Sequence, residues 1–294
     1  MLDPRLLSSI ADLELVARVT VDGAVSGLHR SQFHGYSAEF SQYRHYRPGD
    51  DLKYVDWKLF ARTDRVYTKQ YRETTDMPMQ LVMDASASMG FRGGNTVSKF
   101  EYARVLASAL AYLVSSQGDA VGLAVFDDGM RQHLPSRSGQ PHLRRLLAAL
   151  TGVAPARATA AAPALRRCVD FLKRRGVVIL FSDLYEEGAE FDAELRRATR
   201  AGHDVSVFHV LTREEIEFPY RGDLEFEDVE SGRTVLTSSG AIAAAYRTEV
   251  ASFLHRWRTR CEGWGIDYVP AISDRPPDEV LRAYLLKRSG AQVR

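Results

Sequence analysis

Val177-Val178-Ile179-Leu180-Phe181 is an unbroken apolar run. A strand with no polar face is buried on both sides, and that requires a sheet covered by helices above and below. The run belongs to a rhythm. From Met77 onward, short apolar segments at 79–83, 120–126, 205–210 and 266–269 alternate with stretches whose apolar residues recur at helical spacing. Phe100, Ala103, Leu106, Leu110 and Leu113 mark one amphipathic helix, ending near Gly118. Ile242, Tyr246, Val250, Phe253, Leu254 and Trp257 mark a longer one, and shorter helices are expected at 141–150, 163–174, 189–201 and 278–287. Strands alternating with helices predict an α/β, Rossmann-type fold: a mostly parallel sheet with helices on both faces. Asp127-Asp128-Gly129 is a hairpin turn, so 130–134 is expected to pair antiparallel at an edge.

The first part of the chain reads differently. Leu6, Ile10, Leu13 and Ala17 predict a helix over 4–19, broken by Gly23 and Gly27. Residues 29–72 are aromatic, basic and irregular, with a turn at Arg47-Pro48-Gly49-Asp50 and strand-like alternation at 65–71. This divides the chain into a partly irregular N-terminal module, 1–76, and an α/β domain, 77–294. Within the domain, the acidic stretch at 214–239 reads as an inserted hairpin.

The formal net charge of +1 implies no general attraction to nucleic acid or to a membrane surface. No apolar run approaches the roughly 20 residues that span a bilayer, and the N-terminus has no signal-peptide core. Cys168 and Cys261 lie far apart without CxxC spacing, which fits buried thiols in a reducing compartment. The expected setting is the cytoplasm, without membrane insertion.

Asp84-Ala85-Ser86-Ala87-Ser88 follows the strand at 79–83. A carboxylate and two hydroxyls recur at every second residue where the strand ends. Such hard oxygen donors suit Mg²⁺ or Mn²⁺. In open α/β sheets ligands gather at the carboxyl ends of the strands, near the point where strand order reverses. Asp183 follows the 177–181 run, so if the two strands are neighbours both carboxylates face one crevice. Thr159 precedes Pro163, a helix-start signal, and offers a hydroxyl from a third loop; Thr151 is a rival. The alternative is that the serine-rich turn only caps the next helix.

Asp84, Ser86, Ser88, Thr159 and Asp183 together resemble the metal-ion-dependent adhesion site of von Willebrand factor A domains, with the resemblance extending over 77–269. It implies that Ser86 and Ser88 ligate a divalent ion directly and that Thr159 does so directly or through water. Asp84 and Asp183 would act mainly through water and hydroxyl hydrogen bonds. It further implies an open coordination position that a Glu or Asp of a protein partner fills.

Upstream, Tyr46, Pro48, Gly49, Asp50, Asp51, Val55, Asp56, Trp57, Ala61 and Arg62 resemble the signature of the bacterial domain-of-unknown-function family 58, with Val55 where Ile is usual. That family carries the signature ahead of a von Willebrand A domain. Its short soluble members are commonly encoded beside MoxR-type AAA+ ATPases, which makes such an ATPase the implied partner.

His29, Arg30, His34, Arg44, His45 and Arg47 interleave with aromatic residues, a pattern able to bind single-stranded nucleic acid. Glu39, Asp50, Asp51 and Asp56 balance those charges, so no nucleic-acid partner is expected. Asp56, Trp57 and Arg62 read as a buried ion-pair and packing cluster. For catalysis, Ser86 stands where Asp-x-Asp phosphotransferases carry their second carboxylate, and no His-containing triad or Walker glycine loop is present. The expectation is a metal-dependent protein–protein interaction module without enzymatic activity, accessory to an AAA+ ATPase. The alternatives are a metal-dependent hydrolase and a scaffold with an empty metal site.

Overall fold

The computed structural model describes residues 2–26, 40–46, 55, 57–63, 65–71, 77–94, 96–156, 161–172, 174–186, 188–227 and 234–291. The chain opens with two helices, α1 (Pro4–Ser9) and α2 (Leu13–Val25), where the periodicity predicts one. Asp12 makes the break: its side chain accepts from the Glu14 and Leu15 amides and caps α2. The apolar spacing continues across the break, so it gives no sign of it. Gly23 lies inside α2 instead of ending it. A Cβ there would stand 3.1 Å from Asp278 Cβ, so the missing side chain lets two helices approach closely.

A two-stranded antiparallel sheet follows, β1 (Phe40–His45) and β2 (Tyr67–Tyr71), with α3 (Trp57–Thr63) between. The expected packing cluster does not form around Trp57, which is 58% exposed and meets the Phe60 ring of its own helix edge-on. Arg62 is exposed too, because α3 turns these side chains outward. Asp56 and the Pro48–Asp51 part of the signature lie outside the described residues.

The α/β region runs β3 (Met79–Asp84), α4 (Lys99–Ser116), β4 (Val121–Phe126), β5 (Met130–Arg137), α5 (Gln140–Thr151), α6 (Ala161–Phe171), β6 (Val177–Ser182), α7 (Ala189–Arg200) and β7 (Asp204–Leu211). It continues through α8 (Arg213–Glu217), the hairpin β8 (Asp223–Glu227) and β9 (Thr234–Ser238), then α9 (Ser239–Gly263), β10 (Asp267–Ile272) and α10 (Pro277–Ala291). Six strands form one sheet in the order β10-β7-β6-β3-β4-β5. All neighbours are parallel except β5, which pairs antiparallel with β4 at the edge.

Alternate residues of the buried strands serve two cores. Leu81, Met83, Ile179 and Phe181 face α4, α5 and α10, while Val82, Leu180 and Val207 face α6, α7 and α9. The first core extends to Val21 and Ala24 of α2, and Arg282 of α10 donates to the Ala24 and Gly23 carbonyls at 3.0 and 2.5 Å. Both cysteines are buried in the second core, where burial pushes each thiol up to about 12. Among the described residues no helix is long and apolar enough to cross a membrane.

Candidate metal centre

From β3 the chain proceeds to β4 and β5 on one side, and β6 then returns to the other. Strand order therefore reverses between β3 and β6, and the crevice at their carboxyl ends is where ligands collect in such sheets. Asp84 ends β3 and Asp183 follows β6, so the sheet brings the two predicted carboxylates to that crevice. Both are 2% exposed.

Each oxygen of Asp84 is held. Oδ1 accepts from the Ser86 amide at 2.9 Å, the self-turn that Asp side chains favour, and Oδ2 accepts from the Ser182 hydroxyl at 2.7 Å. Ser86 then leads into a single 3₁₀ turn, Ala87–Gly90, and its hydroxyl lies 3.1 Å from that of Ser88. Ser86 makes no capping bond to that turn, and the next helix, α4, is capped instead by Ser98 and Glu101 in a reciprocal box. The Ser86 hydroxyl thus faces Ser88 and the Asp84 carboxylate at the crevice.

The Asp183 loop is equally constrained. Leu184 adopts φ +57°, a left-handed conformation costly for a branched residue, while its side chain is buried and its amide donates to Ser182 Oγ at 3.0 Å. Asp183 Oδ1 accepts from the Tyr185 amide at 3.4 Å. His209 of β7 lies below, with Nε2 2.8 Å from the Asp183 carbonyl and Nδ1 2.7 Å from the Tyr268 hydroxyl. A carbonyl only accepts, so Nε2 carries the proton and Nδ1 accepts from tyrosine. Burial lowers His209 to about 4, which keeps the imidazole neutral.

The remaining charge comes from a lysine. Lys99, at the start of α4, is wholly buried, and its ammonium donates to Asp183 Oδ2 at 2.8 Å and to Glu215 Oε1 at 2.6 Å. It also lies 4.7 Å from the centre of the Tyr185 ring. Burial alone would pull this ammonium down, but Asp183 and Glu215 hold it above its ordinary value. Glu215 is itself fixed as the third residue of a capping box with Thr212, and it accepts from the Tyr185 hydroxyl at 3.0 Å. Lys99 and Glu215 are absent from the sequence-derived set. A signal existed for Lys99: it stands four residues before Ala103 and seven before Leu106, on the apolar face of its helix.

Thr159 lies outside the described residues. The residues flanking its segment reach both carboxylate loops: the Ala156 amide donates to the Ala85 carbonyl at 2.9 Å, and the Ala161 amide to Glu186 at 2.5 Å. The rival, Thr151, ends α5 with its hydroxyl on the Leu147 carbonyl at 2.9 Å, within its own helix.

Asp84 shows what this arrangement lacks in charge. Burial, and then repulsion from Asp183, raise its carboxyl to about 7 against hydrogen bonds from Ser182 and Ser86 that favour the anion. Among the described residues no three His, Cys, Asp or Glu side chains form a metal-holding group. The donors here are instead two carboxylates and two hydroxyls. Oxygen donors around an undercompensated buried carboxylate fit a hard divalent cation such as Mg²⁺ or Mn²⁺ and suit soft metals poorly.

The profile of a family described as "Protein of unknown function DUF58" matches residues 42–256. The chain is 30% identical over 263 residues to the uncharacterized protein Rv1480 of Mycobacterium tuberculosis, covering 85% of this chain and 81% of that one. Among solved structures it is similar to the conserved hypothetical protein BatB from Bacteroides thetaiotaomicron, with a TM-score of 0.50, 19% identity and coverage of 73% of this chain and 99% of that one. An aerotolerance-related membrane protein from Bacteroides fragilis aligns with a TM-score of 0.49, 20% identity and coverage of 72% and 99%. At such identities the likeness concerns the fold.

Proposed function

The chain belongs to the DUF58 family, and from that premise we propose that it is a metal-dependent protein–protein interaction module. In this reading the α/β region acts as a von Willebrand factor A-like adhesion domain. The observation that carries it is the meeting of Asp84, Ser86, Ser88 and Asp183 at the switch point. Ser86 and Ser88 would hold the ion together with the Thr159 hydroxyl, and Asp84 and Asp183 would orient its waters. A bound Mg²⁺ or Mn²⁺ supplies an electrophilic position for a carboxylate oxygen of a partner.

The role is capture, and no residue is assigned to catalysis. The proposed partner is a MoxR-type AAA+ ATPase, or a client that such an ATPase remodels, in the cytoplasm; this part rests on the family resemblance. Affinity capture of the ATPase by wild type and Asp84→Ala, each in Mg²⁺ and in chelator, tests it. Capture is expected only for wild type in Mg²⁺. Equal capture in all four arms would defeat the proposal.

Lys99 favours a second reading. Its ammonium already lies on Asp183 and is a cation in its own right, as a scaffold with no need of a metal would have. Calorimetry with Mn²⁺ separates the two: a scaffold gives no heat of binding, even with a carboxylate ligand present.

A further inference from the structure

We infer that Lys99 sets the charge of the proposed metal site so that a divalent ion and an anionic partner bind cooperatively. The inference rests on the metal-dependent reading and names the residue that determines its preference for carboxylates.

The geometry carries it. Lys99 is completely enclosed, and its ammonium bridges Asp183 and Glu215 at 2.8 and 2.6 Å, so its charge is held in place beside the site. Glu215 is equally fixed, by Thr212 on one oxygen and by Tyr185 and Lys99 on the other. With all three ionised, the carboxylates of Asp84, Asp183 and Glu215 carry three negative charges, and the Lys99 ammonium paired with two of them cancels one. One divalent ion then brings the cluster to neutrality, and an incoming carboxylate meets no excess negative charge. Without Lys99 the same ion would sit in a net negative site. It would bind more tightly alone and would repel a partner's carboxylate, because like charges a few ångströms apart in a dry site interact strongly. The lysine thus weakens the bare metal site and favours the ternary complex. Coupling of this kind is reciprocal: the carboxylate tightens the metal by the factor by which the metal tightens the carboxylate.

The test is Mn²⁺ calorimetry on the full chain at pH 8, with and without acetate, correcting for Mn²⁺–acetate pairing in buffer. In wild type, acetate is expected to tighten Mn²⁺ about threefold or more. Lys99→Met is expected to bind Mn²⁺ alone at least about tenfold more tightly and to lose the acetate effect. Glu215→Gln retains a capping acceptor and is expected to move the other way, binding Mn²⁺ at least about tenfold more weakly. Opposite shifts are the signature, since a merely structural role would weaken both variants. If Lys99→Met alone fails to fold, Lys99→Met/Glu215→Gln removes the buried imbalance and is expected to bind Mn²⁺ within about threefold of wild type. Unchanged Mn²⁺ affinity in Glu215→Gln, or shifts of the same sign in both single variants, overturns the inference and leaves the metal-dependent reading intact. Absence of Mn²⁺ binding to wild type, with or without acetate, overturns both.

Discussion

The Ser182 hydroxyl donates to Asp84 Oδ2 at 2.7 Å and so joins the ends of β6 and β3 across the switch point. The same oxygen accepts the Leu184 amide, which places one hydroxyl at the base of both carboxylate loops. Ser182→Ala leaves a buried carboxylate oxygen and a buried amide without these partners. It should cost about 1–3 kcal/mol, measured by urea unfolding in chelator. A loss below about 0.5 kcal/mol would mean that the bond contributes little to holding the loops.

Asp84 makes the metal-free protein sensitive to alkali. Its folded carboxyl titrates near 7, against an ordinary 3.8, so between these values the folded state holds a proton that the unfolded chain has released. Its contribution is complete below pH 3.8 and is lost as pH rises to about 7. In chelator, thermal stability should fall from pH 5 to pH 8 by an amount of order a few kcal/mol, and Asp84→Asn should flatten that fall. Mn²⁺ should restore stability at pH 8 in wild type but not in the variant.

His209 acts on the acid side. Its folded value near 4 lies below the ordinary 6.5, so the unfolded chain takes up a proton first as pH falls. The stability it contributes is present above pH 6.5 and is lost as pH falls toward 4. His209→Gln should show a smaller loss than wild type between pH 6.5 and 4.5 when the two unfolding series are compared. Parallel curves would show that some other group governs the acid limb.

Arg282 attaches α2 to α10 through the Gly23 and Ala24 carbonyls, near the end of α2 where a cation also favours the helix dipole. Arg282→Ala should destabilise by about 1–2 kcal/mol and speed amide exchange in α2 by about tenfold, leaving β3 and β6 protected. Uniform acceleration across the sheet would contradict a local role.

Two tryptophans separate pattern from packing. Trp57 is 58% exposed, and Trp257 is wholly buried within the second core, edge-on to the Phe191 ring. Trp57→Ala should change stability by less than about 0.5 kcal/mol, whereas Trp257→Ala should cost about 3–5 kcal/mol. Chemical denaturation of the two variants side by side checks the contrast.

Much of this molecule is legible along the chain because burial writes local patterns. The runs at 79–83 and 177–181 become the adjacent central strands β3 and β6, and the turn at Asp127-Asp128-Gly129 makes β5 the antiparallel edge. The helix expected over 4–19 divides, because a capping aspartate can restart a helix without disturbing the apolar spacing on either side. The expected burial of Trp57 in a cluster with Asp56 and Arg62 depends on which way α3 faces, and spacing within a seven-residue helix does not specify that.

The sequence by itself determined the strand–helix alternation and the layered α/β sheet, and it placed Asp84, Ser86, Ser88 and Asp183 at the ends of two of its strands. Each follows from neighbours in the chain and from the rule that ligands gather at the carboxyl ends of parallel strands. Only the tertiary structure decided that Lys99 points into the crevice and that Glu215, 116 residues away, meets it there. Pairing of buried charges depends on distance in space, and folding alone brings Glu215 of α8 and Asp183 to the same Lys99 ammonium of α4.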